Sequence, residues 1–452
     1  MAQSPAIYPS FSLTEENVGQ SIYQKLGGIC VAIAILAMVA AAAGGGTANP
    51  ALFLSLIVGM FALGAVFYAI PYYQDTAGIR NNGIMFRSMT NKGTIAWIFA
   101  IILTGFYIII YWFSYLFEGL IRIFDPLSQL LTNQPANQWF MYGAFYTLAV
   151  LTMGIRFLGK YRHSRYHVIR TFSVMLFQLG FAFLLPMFLK KLNEPEFYFS
   201  YFWPLKYNYL FPADVSQLAS DGKLGVFMVF WGATMTFIAT PILTYKYGKR
   251  WYCSWVCGCG GLAETAGDPY RHLSDKRLKA WKVERWMVHS VLVLITVTTI
   301  LLWLNSYYKG GILGSVSGAF AKWYGFFIGA IFSGVIGVGF YPLMGSRVWC
   351  RFGCPMAALL GFFQRFKSRF RITTNGGQCI SCGNCSTYCE MGIDVRWYAQ
   401  RGQNIVRSSC VGCGICASVC PRGVLKLENG KVEGRINDKP ITIGNNNITV
   451  HL

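Results

Sequence analysis

The chain has 452 residues, of which 54% are hydrophobic and 13% charged, with a net charge of +21 at neutral pH. A charged share about half that of a typical soluble domain excludes an ordinary soluble enzyme. The positive balance does not indicate nucleic acid, because the basic residues flank long apolar runs, the pattern that orients membrane proteins.

From the N-terminus, "MAQSPAIYPSFSLTEENVGQ" lacks a basic stretch leading directly into an apolar one, so no cleavable signal peptide is expected. Apolar runs follow at 27–45, 51–73, 93–117, 138–155, 171–189, 224–245, 287–308 and 323–346. Each is near the ~20 residues that cross a bilayer, so the expected fold is an all-α polytopic membrane protein of eight spans. Linkers 71–92, 156–170 and 246–286 hold 17 Lys and Arg, against 7 in linkers 46–50, 118–137, 190–223 and 309–322. The positive-inside rule makes the first set cytoplasmic, with both termini inside a bacterial inner membrane. The aromatic stretch "EFYFSYFWPLKYNYLF" at 196–211 then falls outside and reads as an interfacial belt, or as a surface for a partner on that side.

Thirteen of the 14 cysteines lie after residue 250. Their close, regular spacing suits metal ligation and a reducing compartment better than a disulfide framework. In the tail, "CISCGNCSTYC" and "CVGCGICASVC" both read C-x2-C-x2-C-x3-C. This is the run of a bacterial two-cluster ferredoxin, in which the fourth cysteine of each run serves the other cluster. The expected ligand sets are Cys379, Cys382, Cys385 with Cys420, and Cys410, Cys413, Cys416 with Cys389. Gly383, Gly412 and Gly414 keep the loops clear. Pro421 follows the last ligand as the run requires, whereas Glu390 stands where a second proline is usual. Zinc is the alternative, but it favours four ligands in two separated pairs. After the ferredoxin, "LENGKVEGRINDKPITIGNNNITV" reads as a small β-hairpin appendage.

Two further pairs follow apolar runs that arrive at the same face. "KRWYCSWVCGCG" holds Cys253, Cys257 and an extra Cys259, and "SRVWCRFGCP" holds Cys350 and Cys354. Both read Arg, aromatic, C-x3-C, which makes 171–245 and 287–346 an internal repeat of like orientation. Pseudo-two-fold symmetry would bring Cys253, Cys257, Cys350 and Cys354 together as a third redox centre of soft thiolates. Flanking Lys249, Arg250, Arg347 and Arg351 are expected to lower their pKa values. Packing is the alternative use of buried cysteine, and it does not account for two matching pairs.

On these motifs the chain resembles the membrane polyferredoxins of the NapH, NosR and CcoG type, over about 171–425. The resemblance implies electron transfer between quinols, cytoplasmic iron–sulfur clusters and exported oxidoreductases, or assistance in metal-enzyme assembly. Relatives have C-x3-C-P in both pairs, whereas Gly258 follows Cys257 here. The flavin-accepting stretch of some relatives has only an echo, "SVSGAF" at 315–320, with Phe320 at the acceptor position. Haem ligation is not indicated. His163 and His167 lie in a basic linker and read as solvated or lipid-facing, and His289 reads as interfacial with reach to a quinone.

The expected domains are a four-span extension, 1–160; a four-span core with both pairs, 161–370; a two-cluster ferredoxin, 371–425; and the tail, 426–452. The function expected is electron transfer within a larger redox complex, with a cytoplasmic carrier, other subunits and the quinone pool as partners. The rival is an assembly factor that reduces a metal ion or disulfide. A transporter is disfavoured because no charge sits deep in a span.

Overall fold

The computed structural model describes residues 21–46, 48–74, 92–314, 316–429, 442–443 and 448–449. The expectations for the first twenty residues, most of linker 71–92, Ser315 and the turn after Asn429 lie outside them.

Among the described residues, eight helices are long and apolar enough to cross a membrane: Ile22–Ala42, Pro50–Gln74, Thr94–Trp112, Gln138–Tyr161, Arg165–Lys191, Lys223–Tyr247, Leu278–Tyr307 and Val316–Ile336. They fall on the eight apolar runs and are called spans one to eight below. Spans one and two pack through small residues. A Cβ on Gly27 would meet the Gly64 carbonyl oxygen at 2.8 Å, so this approach depends on hydrogen there. Span seven starts nine residues before its apolar run, because Lys279, Lys282 and Arg285 continue the helix beyond the oily stretch. Span eight ends ten residues early. A tight turn over Gly337 and Gly339 follows, where any Cβ would lie 2.2 Å from a backbone oxygen.

The aromatic stretch between spans five and six corrects the expectation of an interfacial belt. It is a re-entrant loop. The Trp203 amide donates to Thr236 Oγ1 at 3.1 Å, midway along span six, and its indole donates to Thr299 Oγ1 at 3.0 Å in span seven. Phe202 is fully buried, with its ring 5.7 Å from that of Tyr252, the neighbour of Cys253. Non-helical backbone survives at this depth only when its polar groups are satisfied by protein. Here successive turns do so, with Leu205 and Lys206 both donating to the Phe202 carbonyl.

The cysteine-rich tail folds on the face where spans six and eight end. Strand β1 (Phe370–Thr374) pairs antiparallel with β2 (Leu425–Asn429), from Phe370 opposite Asn429 to Thr374 opposite Leu425. The start of the expected tail hairpin is therefore recruited into the ferredoxin unit. A separate two-residue pairing, Thr442–Ile443 with Ile448–Thr449, remains beyond it. One buried core runs from Phe202 past Cys253, Cys350 and Cys354 into Ile372, Ile405 and Ile415. The ferredoxin unit is thus packed onto the membrane helices as part of a shared interior.

Candidate functional site

The two C-x3-C pairs stand on matching scaffolds. After span six the chain turns at Gly248 (φ +66°), and after span eight at Gly345 (φ +89°), both in the left-handed region where side chains are strained. The first cysteine follows five residues later in a short helix, Arg250–Cys253 or Val348–Phe352. The second, nine residues after the glycine, caps the next helix, Gly258–Thr265 or Pro355–Lys367. The glycine is the shared signal that the cysteine spacing alone left unread.

The fold brings all four cysteines together. Cys253, Cys350 and Cys354 are buried in one core against which Cys257 packs. Each lies within electrostatic reach of the others: charge on Cys253, Cys257 and Cys350 acts on Cys354, and charge on Cys257 and Cys350 acts on Cys253. Burial pushes the Cys253 thiol up to about 12, with Lys249 opposing it. Burial likewise raises Cys350 against Arg347, and Cys354. This corrects the expectation that flanking cations lower these thiols: desolvation outweighs them. Of the four cations, Arg250 instead lies over the Phe370 ring and Arg351 pairs with Glu284 at 3.1 Å. Only Cys257 is lowered, to about 7, chiefly by a thiol–thiol hydrogen bond with Cys259. Cys259 therefore belongs to this neighbourhood. Three buried thiols that resist ionisation, with the readily ionised Cys257 beside them, are suited to a ligand that brings its own positive charge, since a coordinated thiol is deprotonated outright.

The tail cysteines sort into two sets. Cys379, Cys382, Cys385 and Cys420 line one small cavity. Cys389, Cys410, Cys413 and Cys416 line another. These are the crossed quartets expected from the spacing. Among the described residues no three His, Cys, Asp or Glu close on a single ion. Four thiols ring each cavity, and that donor set fits an iron–sulfur cubane. The loops also need their glycines: Gly412 has φ +64°, and a Cβ there would lie 2.7 Å from that of Arg250.

The second cavity is the one against the membrane helices. Ser254 Oγ donates to the Val411 carbonyl at 2.7 Å and Tyr166 to that of Gly412 at 2.9 Å. Arg170 donates to the Cys413 carbonyl. His167 Nε2 lies 2.5 Å from Ser418 Oγ with the ring buried, which corrects its reading as solvated or lipid-facing. His163 and His289 are exposed. The first cavity has exposed Ile380 and Ser381 at its rim.

Glu390, out of place in the ferredoxin run, is fully buried. It lies 3.0 Å from Arg271 Nη1 and 2.9 Å from Arg347 Nη2. Arg271 also pairs with Glu264 at 2.5 Å and Asp268 at 2.8 Å. Asp268 takes Arg156 and Lys160, and Glu264 takes Arg170 and Arg347. Burial alone would raise the Glu264 carboxyl, but Arg170, Arg271 and Arg347 overcome it and hold it at about 2. An unpaired charge here would be costly, so these partners fix the seat of the ferredoxin unit. The sequence signalled Glu390 only as a departure, with no hint of its remote partners.

Residues 378–425 match the 4Fe-4S dicluster domain family. A second family, described as a 4Fe-4S binding domain, matches twice, at 228–279 and 324–373, once over each cysteine pair. The chain is 28% identical over 173 residues to "Putative electron transport protein YccM" of Escherichia coli K12, and 25% identical over 167 residues to an uncharacterized protein of Methanocaldococcus jannaschii. Each alignment covers 36% of this chain, with 47% of the first relative and 59% of the second. No solved structure matches. With eight apolar helices and three matches to iron–sulfur domains, the chain is a multi-pass membrane protein that carries 4Fe-4S ferredoxin-type domains.

Proposed function

We propose that the chain relays electrons between a soluble carrier on the cytoplasmic side and a partner in or across a bacterial inner membrane, as a subunit of a larger redox complex. Three thiol sets serve the relay. The outer ferredoxin set, Cys379, Cys382, Cys385 and Cys420, meets the carrier. The inner set, Cys389, Cys410, Cys413 and Cys416, rests on the membrane core. Cys253, Cys257, Cys350 and Cys354 form the membrane-face centre. Iron–sulfur clusters in these sets supply one-electron transfer. The protein's part is to hold the thiols, exclude water and set the local charge. The carrying observation is the seating of the inner set, through Glu390 and the Val411–Cys413 loop, directly on the elements that bear the membrane-face cysteines. The division into 1–160, 161–370, 371–425 and 426–452 is kept, with the described helices of the first part bracing the core.

A quinone link is supported by a cavity of about 290 Å³ beside the re-entrant loop. Trp203, Tyr207 and Trp303 give it aromatic walls, and Lys206, Thr236 and Thr299 give it hydrogen-bonding groups. Ligand pockets commonly combine apolar walls with a few polar groups in this way. This cavity is better placed for a ring than exposed His289.

The test is anaerobic purification of the full-length protein, followed by iron analysis and electron paramagnetic resonance. About twelve irons and three distinct signals are expected, at four irons per cluster. In Cys354→Ser, reduction of a membrane-soluble quinone should stop while both tail signals persist. About eight irons in the unaltered protein, or full quinone reduction by the variant, would overturn the relay.

A further inference from the structure

We propose that Arg347 is a positioning residue that electrostatically couples the membrane-face centre to the inner ferredoxin set. This rests on the reading that both sets hold clusters. Arg347 is 1% exposed and meets both sites through one guanidinium. On one side Nη1 donates to the Cys253 carbonyl at 3.2 Å and lies 3.9 Å from Cys350 Sγ. On the other, Nη2 lies 2.9 Å from Glu390 Oε1 and 3.1 Å from Glu264 Oε2. Glu390 adjoins Cys389 of the inner set. Lys249 is the other cation acting on Cys253 and Cys350, but its ammonium donates to the Ser408 carbonyl at 3.1 Å.

A purely structural pin would balance its charges. Here Arg156, Lys160, Arg170, Arg271 and Arg347 face only Asp268, Glu264 and Glu390, an excess of two positive charges in a buried network. Arg347 is the member of this network that lies between Cys350 of one set and Glu390, beside Cys389 of the other, where its charge offsets that of ligating thiolates. Charge near a cluster sets its potential. A cation beside Cys350 favours the reduced, more negative form, while Glu390 pulls on the same guanidinium from the inner set. A charge change at either centre is therefore felt at the other.

Redox titration of the purified full-length protein, followed by electron paramagnetic resonance, tests this. Arg347→Gln should move the membrane-face midpoint to a more negative potential. Glu390→Gln, which leaves the guanidinium less compensated, should move it to a more positive one. Arg347→Lys keeps the charge and should shift it less than Arg347→Gln; it also serves if the glutamine variant fails to assemble. The outer set is the internal reference and should stay fixed. Shifts of the same sign in Arg347→Gln and Glu390→Gln, an unmoved signal in Arg347→Gln, or an equal shift of the outer set would overturn the coupling. Absence of a third signal in the unaltered protein would overturn the reading beneath it, and the coupling with it.

Discussion

In the tail, three thiols of each set come from seven consecutive residues, Cys379–Cys385 and Cys410–Cys416, and only one is borrowed from the other run. At the membrane face, Cys253 and Cys350 are 97 positions apart, and their meeting depends on spans six to eight, two left-handed glycines and Arg347. The tail sets are local constructions that loop geometry nearly completes by itself. The membrane-face set is a tertiary construction, and its integrity is tied to the ion-pair network that seats the ferredoxin unit. The contrast predicts that the two kinds of site fail under different perturbations.

The sharpest break is a ligand change on each side. Cys350→Ser should remove the membrane-face signal, lowering iron from about twelve to about eight per chain with both tail signals kept. Cys389→Ser should remove the inner tail signal and leave the outer one. Loss of every signal from Cys350→Ser would show the sites to be one cooperative unit and erase the distinction.

Next in size is the network. Arg271→Met leaves Glu264, Asp268 and Glu390 short of a buried partner, which costs about 3–5 kcal/mol. Thermal unfolding in detergent should fall accordingly, with the inner tail and membrane-face signals lost before the outer one. Unchanged melting would mean that the seat does not depend on these charges.

Acid should separate the regions more gradually. The folded Glu264 carboxyl lies at about 2, below its ordinary 4.5. A depressed carboxylate stabilises the fold fully above the ordinary value, and that contribution is lost as pH falls through the folded one. Seating should therefore be intact above about pH 4.5 and weaken toward pH 2. Hydrogen exchange on the metal-free protein should detect this at Ser254–Thr265 while β1 and β2 remain protected. Equal loss in both places would contradict it.

The smallest effect sharpens the boundary. Ser254→Ala deprives the Val411 carbonyl of its buried donor, at a cost of about 1–3 kcal/mol. The inner set should become easier to bleach with a chelator, and the outer set should not.

Sequence by itself determined the eight spans, because a helix buried in lipid advertises itself by composition alone. It marked which tail cysteines share a cavity, because their short, fixed spacing is that of a two-cluster ferredoxin run. It also marked the matching pairs at Cys253–Cys257 and Cys350–Cys354, since a duplicated unit keeps its order. Only the tertiary structure decided the rest. The 196–211 loop reads as an interfacial belt from its aromatics, yet its depth is set by Thr236 and Thr299 on two other helices. His167 reads as solvated from its basic neighbours, yet Ser418, 251 residues away, covers it. The cations beside the cysteines read as acidifying, yet burial prevails. Glu390 reads as a blemish, yet Arg271 and Arg347 make it the anchor. In each case the deciding quantity is desolvation and the remote group that compensates it, and neither is carried by a residue's neighbours in the chain.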